Sequence, residues 1–201
     1  YARLWTMTSF VICSIDASKL EAVSHSIAQR MQNHAHEIVA IRDAKSLADG
    51  YMRGAAMAKG ERLVFCHDDI EILTPDFAER LDRHLRDFDM IGVAGADRVI
   101  GSLWSLAAPP HLFGQIAHRH APSQQYDVSI FCNARPVIDG IRVLDGLFIA
   151  IRREVLDRVR FDAATFDGWH LYDMDFSFSA YLAGLKLAVC SDIQLLHFSP
   201  G

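Results

Sequence analysis

The sequence predicts an α/β protein, a single domain whose mostly parallel, Rossmann-like central sheet is flanked by helices. Over the first ninety residues, short apolar runs rich in β-branched residues alternate with stretches of helical hydrophobic periodicity. A length of 201 residues suits one domain with a complete core, and the chain shows no internal repeat, linker or low-complexity tract. Hydrophobic residues make up 51% of the chain and charged residues 22%, which excludes a disordered protein. We therefore expect one domain over 1–201.

The first half of the chain alternates regularly between strand and helix. Apolar, β-branched runs typical of buried strands occur at 8–15, 37–41, 62–66 and 90–95. Helical periodicity follows three of them, over 18–32, from Ser46 to just before Gly60, and from Thr74 onward. A capping box at 18–21 predicts the first helix start, and Pro75 in the first turn predicts the third. This β-α-β-α-β-α-β order predicts parallel strands joined by right-handed crossovers, with helices on both faces of the sheet.

The second half is less regular. Residues 98–140 form a long connection with scattered prolines and glycines and short strand candidates at 126–131 and 136–144. Long connections in compact domains are more often functional than idle, so this one is a candidate lid. We expect its histidines, His111, His118 and His120, to lie in a mobile, solvated segment rather than a metal site. Beyond it the pattern predicts a strand at 147–151, a short helix at 152–159, a helix at 171–184, and strands at 186–190 and 193–198.

Charge and cysteine usage exclude several classes of partner. Lys and Arg number 20 against 25 Asp and Glu, a net charge of −5, whereas nucleic-acid and anionic-membrane surfaces need a basic patch. No apolar run approaches the ~18 residues of a transmembrane helix. The four cysteines are far apart and three lie in apolar runs, as expected of free buried thiols in a reducing cytoplasm. Because the chain opens on Tyr1 rather than Met, we expect an excised segment whose flanks could hold a membrane anchor or a partner domain.

Ligands of open α/β sheets bind beyond the carboxyl ends of the strands, so those ends hold the candidate site. The first strand runs into Asp16-Ala17-Ser18 without glycines, which excludes a dinucleotide-binding turn and a phosphate-binding P-loop. The third strand ends in His67-Asp68-Asp69. Adjacent carboxylates resist desolvation and repel each other, and a divalent cation such as Mg²⁺ or Mn²⁺ would relieve both effects. A solvated loop in which one carboxylate caps the next turn is an equally good interpretation.

Three further side chains lie at predicted element ends. Asp173 and Asp175 open a helix, where acids are favoured by the helix dipole and can simply cap. Residues two apart on a helix point in different directions, so one of them could face the crevice as a general base. His197 ends the final strand, and a lone histidine is more often structural than a ligand. The combination of these groups with the His67–Asp69 segment is more informative than any one of them.

Four segments in this order resemble the family 2 glycosyltransferases, which have the A-type nucleotide-sugar fold. They are IVAIRDA, GAAMAKGERLVFCHDDIEILTPDF, LDGLFIAIRREVL and FDGWHLYDMDFSFSAYLAGLKLAVCSDIQLLHFSPG. The similarity is greatest to the bacterial branch in which the metal motif is His-x-Asp. It covers nearly the whole chain except 98–140, and it implies a nucleotide-sugar donor half at 1–97 and an acceptor and catalytic-base half at 98–201.

The resemblance also implies roles for individual residues. The donor nucleotide would contact Ile15, Asp16, Asp43, Gly54, His67 and Asp68. Asp69 and His197 would hold Mn²⁺ or Mg²⁺, and Asp173 would be the general base. Tyr172 stands where the family has glutamate, which leaves the role of that position open. The acceptor would be bordered by Asp145, Gly146, Trp169 and His170.

The implied function is sugar transfer from a nucleoside-diphosphate sugar to an acceptor hydroxyl, as in bacterial polysaccharide biosynthesis. One base and one metal suit a single displacement with inversion, and Asp43 is compatible with uracil or thymine, which favours a UDP-sugar. The acceptor could be a glycan, a lipid-linked carrier or a protein. The enzyme would work in the cytoplasm, free or held at a membrane by segments beyond this sequence.

Other functions fit the same residues. A two-metal centre for phosphoester hydrolysis could be formed by His67, Asp68, Asp69, His170, Asp173 and His197. Against this, the chain lacks closely spaced histidine pairs. A nucleotidyltransferase would need basic residues near the first strand, where only Lys19 is present. A non-catalytic nucleotide-sugar-binding domain of a larger protein is the third alternative, because His67 and Tyr172 depart from the commonest family pattern.

Overall fold

The computed structural model describes residues 6–120, 125–133 and 135–198. The predicted domain at 1–201 and the predicted connection at 98–140 each include a few residues outside this part. The described α-helices are α1 (Ala17–Met31), α2 (Leu47–Met57), α3 (Phe77–Asp87) and α4 (Tyr172–Leu182). The described strands are β1 (Thr8–Cys13), β2 (His36–Ile41), β3 (Arg62–Cys66), β4 (Ile70–Ile72), β5 (Met90–Gly92), β6 (Ala94–Ala96), β7 (Leu112–His120), β8 (Gln125–Ile130), β9 (Val137–Asp139), β10 (Val143–Leu144), β11 (Phe148–Arg152), β12 (Leu187–Cys190) and β13 (Leu195–His197).

The central sheet confirms the predicted α/β fold. Its strand order is β2-β1-β3-β11-β5-β12-β9, with β1 parallel to both β2 and β3, as expected from the first two crossovers. The expectation of parallel pairing does not extend to the next neighbour, because β11 enters antiparallel between β3 and β5. Residues 148–151 are fully buried, so this strand takes a central position. An apolar run shows burial but not strand direction, which is why the pattern missed this insertion.

The described residues also form a smaller, second sheet of six strands. Its order is β10-β6-β7-β13-β4, with β8 paired to β7. The single strand predicted at 90–95 is divided at Val93, so that β5 belongs to the central sheet and β6 to the second. Gly114 permits the close approach of β7 at this division, because its φ is +113° and a Cβ there would lie 2.1 Å from the Val93 carbonyl oxygen.

Helices cover both faces of the central sheet, as predicted. On one face α1 and α3 pack through Val23, Ile27 and Leu81, and on the other α2 and α4 pack through Tyr51 and Phe176. These five side chains are almost completely buried. Burial of this apolar surface is the main stabilising term of the fold and holds the helix N-termini at the edge where β1 and β3 end.

Local chemistry shifts several predicted boundaries. Asp16, rather than Ser18, caps α1, and its carboxylate accepts from the N–H groups of Ser18 (2.8 Å) and Lys19 (3.1 Å). The Thr74 hydroxyl accepts instead from the N–H of Gln194 at 2.7 Å, so α3 starts later, at Phe77. The short helix predicted at 152–159 is a 3₁₀ turn at Arg153–Asp157.

The irregular stretch at 98–140 is largely an ordered hairpin in its described part. A 3₁₀ turn at Trp104–Ala107 leads into β7, which pairs antiparallel with β6 and β8 and parallel with β13. His118 therefore lies in a paired strand beside His197, and the expectation of a mobile, solvated segment at this position is wrong. Among the described residues, no helix is both long and apolar enough to cross a bilayer.

Candidate functional site

Backbone pairing brings the end of β3 against the end of β13. The loop after β3 carries His67, Asp68 and Asp69, and β4 then pairs antiparallel with β13 so that Ile70 lies opposite His197. The N–H of Phe198 donates to the Asp69 carbonyl at 2.9 Å. The positions of Asp69 and His197 are thus fixed by strand register, and they meet at the predicted ligand-binding edge.

Three side chains form a candidate metal centre at this edge. The Oδ1 atom of Asp69 lies 3.3 Å from His197 Nε2 and 3.9 Å from His67 Nδ1. These ligand atoms lie within 4.8 Å of one another. Burial would raise the pKa of the Asp69 carboxyl, but His197, His67 and Lys19 outweigh it and lower the pKa to about 2. The carboxylate is therefore ionised at any physiological pH.

The donor set fits a divalent cation. Oδ1 of Asp69 is buried, and no described group donates a hydrogen bond to it. An ionised, buried and unsatisfied oxygen is costly unless a cation compensates it. Carboxylate oxygens are ligands of Mg²⁺ and Mn²⁺, and neutral imidazoles also bind divalent first-row metal ions. Asp69, His67 and His197 could hold such an ion.

The candidate base Asp173 stands at the start of α4. Its Oδ2 accepts from the N–H of Gly146 at 2.9 Å. Burial, and then the negative charge of nearby Asp145, raise the pKa of the Asp173 carboxyl to about 6. Asp145 is itself held by two donors, Trp104 Nε1 at 2.7 Å and the N–H of Leu147 at 2.8 Å. A carboxyl with a pKa near 6 is suited to proton abstraction at neutral pH.

Two adjoining cavities meet at the metal centre. The smaller has a volume of about 330 Å³ and is lined by Cys13, Ser14, Ile15, Ile41, Ala44, Leu47, His67, Asp68, Asp69 and Trp169. The larger has a volume of about 600 Å³, and its polar lining residues include His118, Ser129, Asp145, His170, Asp173 and His197. Leu47, His67 and Trp169 line both. The backbone N–H of Leu47 donates to the Gly168 carbonyl at 3.3 Å, which holds the Trp169 segment between the two cavities.

The residues predicted to contact a nucleotide divide into two groups. Ile15, His67 and Asp68 line the smaller cavity. Asp16 and Asp43 line neither cavity among those described here, because Asp16 caps α1 and Asp43 is exposed and paired with an arginine.

The arginine partner of Asp43 is Arg53, whose Nη2 lies 2.6 Å from the Asp43 carboxylate. Gly54 is buried under α2, where a Cβ would lie 2.2 Å from Val11 Cγ1. The close approach that this glycine permits is therefore to β1, and the prediction of a close approach by a nucleotide is wrong for Gly54. Helix capping and helix–strand packing account for these residue types without a ligand.

All four predicted acceptor-side residues line the larger cavity. They are Asp145, Gly146, Trp169 and His170. Tyr172 also lines it, and its hydroxyl lies 3.1 Å from His67 Nε2. Burial lowers the pKa of the His67 imidazole, so this side chain is neutral at pH 7.

Three further residues of the site were not among the site residues predicted from the sequence. The His118 ring lies 5.6 Å from the His197 ring, and Trp104 reaches the cavity from the 3₁₀ turn. Lys19 Nζ lies 3.5 Å from Asp69 Oδ2 and places a positive charge beside the metal centre. The alternation of apolar residues from Leu112 to Ile116 is the signal that could have placed His118 on the inner face of a strand.

The sequence matches a known family over most of its length. Residues 9–195 match the profile of a family described as glycosyltransferase like. No curated protein matches the chain.

Solved structures share the fold at low sequence identity. GalNAc-T7 with UDP, GalNAc and Mn²⁺ has a TM-score of 0.65 and 14% identity, over 99% of this chain and 45% of that one. The mannosyltransferase PcManGT from Pyrobaculum calidifontis, in complex with GDP-Man and Mn²⁺, has a TM-score of 0.58 and 15% identity, over 97% and 57%. A197 from STIV has a TM-score of 0.52 and 16% identity, over 96% and 86%. The chain thus spans about half the length of the first two.

Proposed function

The chain belongs to the glycosyltransferase-like family whose profile matches residues 9–195, and we propose that it transfers a sugar from a nucleoside-diphosphate sugar to an acceptor hydroxyl with inversion. The observation that carries this proposal is the buried, ionised Oδ1 of Asp69, which lies unsatisfied between His67 and His197 at the junction of two cavities. A transferase of this kind needs a divalent cation at the point where donor and acceptor meet.

The smaller cavity is the proposed donor site. Its volume of about 330 Å³ is at the low end for a ligand pocket and is sufficient for a nucleoside. A UDP-sugar is the first candidate, because UDP is the nucleotide in the GalNAc-T7 structure. All of its lining residues except Trp169 belong to the proposed donor half at 1–97. Lys19 would add a positive charge near the diphosphate. That two structural neighbours hold Mn²⁺ beside UDP or GDP-Man supports the same class of ligand here.

The metal centre would stabilise the leaving group. Asp69, His67 and His197 would hold a divalent ion, which when bound would supply Lewis-acid neutralisation of the negative charge on the departing nucleoside diphosphate. Lys19 Nζ, 3.5 Å from Asp69 Oδ2, would share in this neutralisation. The cavity junction places these residues beside the larger cavity, where the acceptor would enter from the half at 98–201.

Asp173 would remove the proton of the attacking hydroxyl. Its pKa of about 6 leaves it mostly ionised at pH 7 but basic enough to accept a proton. Both oxygens of the neighbouring Asp145 are engaged by donors, so Asp145 orients the site and would contact acceptor hydroxyls. A single base on the acceptor side supports one displacement and hence inversion. The acceptor hydroxyl could belong to a glycan, a lipid-linked carrier or a protein.

The cellular setting follows from the donor. Nucleotide sugars are supplied in the cytoplasm, and the four cysteines are free thiols, as expected there. We therefore propose a cytoplasmic enzyme of polysaccharide biosynthesis, with further domains or a membrane anchor outside this segment.

A product assay with matched variants tests the proposal. The purified protein would be incubated with Mn²⁺, one sugar of the UDP, GDP or dTDP series, and a panel of acceptors, and the product's anomeric configuration read by NMR. We expect inverted product, lost in Asp173→Asn and retained in Asp175→Asn, because Asp175 does not line the larger cavity. Retained configuration would contradict inversion. Metal-dependent cleavage of simple phosphoesters without acceptor would instead favour the hydrolase, and donor binding without transfer would favour a non-catalytic domain.

A further inference from the structure

A hydrogen-bond chain runs from the metal centre to the loop beside the catalytic base. His67 Nε2 lies 3.1 Å from the Tyr172 hydroxyl oxygen, and that hydroxyl donates to the Gly146 carbonyl at 3.2 Å. The N–H of the same glycine donates to Asp173. Tyr172 is only 3% exposed, and its ring packs edge-on against Tyr51 with a centroid distance of 5.6 Å. The hydroxyl is therefore held in one place by packing.

The direction of these hydrogen bonds fixes where the His67 proton lies. A carbonyl oxygen only accepts, so the single Tyr172 proton points at Gly146. Toward His67 the tyrosine oxygen then accepts, and Nε2 must carry the imidazole proton. A neutral imidazole has one N–H, so Nδ1 presents its lone pair. Nδ1 is the atom that faces Asp69 Oδ1, at 3.9 Å.

The opposite tautomer of His67 would make poorer hydrogen bonds, for two reasons. With the proton on Nδ1, Nε2 would need the Tyr172 proton, and the Gly146 carbonyl would lose that donor. The Nδ1–H would also lie 3.9 Å from Asp69 Oδ1, too far for a hydrogen bond. That proton would also block the approach of a cation to Nδ1.

The backbone is strained where it places the Tyr172 hydroxyl. The preceding residue, Leu171, has a φ of 68°, a conformation that bulky L-residues rarely adopt.

We propose that Tyr172 is a positioning residue that holds His67 as the Nε2–H tautomer, so that the Nδ1 lone pair is directed at the cation site beside Asp69. Hydrogen-bond partners of metal-bound histidines commonly fix the tautomer and ring orientation in this way. The inference deepens the proposed function and rests on it for the presence of a divalent cation. It also assigns a role to the position where the family's glutamate is replaced.

The test measures two quantities separately, the His67 tautomer in the absence of metal and the affinity of the protein for Mn²⁺. Imidazole ¹⁵N spectra of the EDTA-treated protein report which nitrogen carries the proton, and the signal missing in His67→Gln assigns His67. We expect Nδ1 to be unprotonated in the wild type and the two tautomers to be mixed in Tyr172→Phe. Titration with Mn²⁺ alone, followed by the EPR signal of the free ion, should show about 10- to 100-fold weaker binding in Tyr172→Phe.

Tyr181→Phe is the matched control. It removes the same atom from a tyrosine of the same helix, α4, whose side chain lines neither cavity. We expect it to leave both the tautomer and Mn²⁺ affinity unchanged. If Tyr172 had only a structural role, Tyr172→Phe would leave the imidazole ¹⁵N signals of His67 unchanged.

Two results would overturn the inference. One is a wild-type His67 that carries its proton on Nδ1, and this result needs no variant and no metal. The other is a Tyr172→Phe protein with wild-type tautomer and affinity. A wild-type protein that binds no Mn²⁺ would overturn the proposed function and the cation part of this inference, and the tautomer would then decide the role of Tyr172 alone.

Discussion

The backbone N–H of Gly146 donates to Asp173 Oδ2 at 2.9 Å, while the carbonyl of the same glycine accepts from the residue next to that carboxylate, Tyr172. One glycine therefore contacts both the candidate base and the residue that holds His67. A Cβ on Gly146 would lie 2.2 Å from the Tyr172 hydroxyl and 3.0 Å from Asp173 Cβ. The close packing of this loop against α4 sets the distance between the candidate metal centre and the candidate base.

Asp173 should reduce the stability of the fold in which it acts. Its pKa in the folded protein, about 6, lies above the ordinary value of 3.8, so the folded protein binds this proton more tightly than the unfolded chain does. Stability from this group is present at low pH and is lost as the pH rises from about 4 through 6. Asp173→Asn should therefore raise the free energy of unfolding by about 1–3 kcal/mol at pH 8 and leave it unchanged at pH 3. Urea unfolding at both pH values, in EDTA, measures this, and equal effects at the two pH values would contradict it.

The pH dependence of transfer should report the same group. Because Asp173 must be ionised to accept a proton, kcat/KM should fall below a pH of about 6. The charge of Asp145 is the second cause of the raised pKa, so Asp145→Asn should move this acidic limb to lower pH. Asp175→Asn serves as the control and should leave the limb in place. An unchanged limb in Asp145→Asn would show that another group controls it.

Gly146→Ala should reproduce the loss of the Tyr172 contact. The added methyl group would collide with the Tyr172 hydroxyl at 2.2 Å and displace it from His67. We expect Mn²⁺ affinity to fall about 10-fold or more, on the scale of a lost outer-sphere contact. Gly168→Ala is the matched control, since nothing lies within 4 Å of a Cβ there. Wild-type affinity in Gly146→Ala would mean that the loop adapts and that this packing does not set the site.

Trp104 should contribute to kcat/KM for the acceptor and not to the affinity for the nucleotide. Its Nε1 donates to Asp145 Oδ2 at 2.7 Å, and its ring packs edge-on against Phe131 at 5.3 Å. Trp104→Phe retains an aromatic ring but removes the donor, so Asp145 loses one of its two fixed contacts. We expect kcat/KM for the acceptor to fall about 10-fold, the equivalent of one charge-assisted hydrogen bond, with nucleotide affinity unchanged. Leu106→Ala, an exposed position on the same turn, is the control.

The sequence predicted those parts of the site that lie at the ends of strongly patterned elements. Asp69 follows a buried strand, Asp173 opens a helix, and His197 ends a strand, and the structure brings Asp69 and His197 within 3.3 Å. The resemblance to a family supplied their proposed roles. Gly54 shows the limit of this approach, because a glycine needed for helix–strand packing looks the same in the sequence as one needed for a ligand.

The missed features depend on which strands pair. The antiparallel insertion of β11 and the pairing of β7 with β13 are set by contacts between distant segments, and hydrophobic periodicity carries no information about them. His118 enters the site only because β7 lies next to β13 in register with His197. The direction of the Tyr172 hydrogen bonds likewise cannot be predicted from the sequence, because it depends on the position of the Gly146 carbonyl oxygen.

Calorimetric titration of UDP, GDP and dTDP into the wild-type protein, with and without Mn²⁺, tests whether Asp69 holds a cation on which nucleotide binding depends. The same titrations with Asp69→Ala would remove the unsatisfied carboxylate, and Asp175→Ala would control for loss of an acidic residue outside the two cavities. We expect Mn²⁺-dependent binding of one nucleotide, first of all UDP, at least 10-fold weaker in Asp69→Ala and unchanged in Asp175→Ala. Binding of none of the three under either condition, or equal binding by Asp69→Ala, would contradict this expectation.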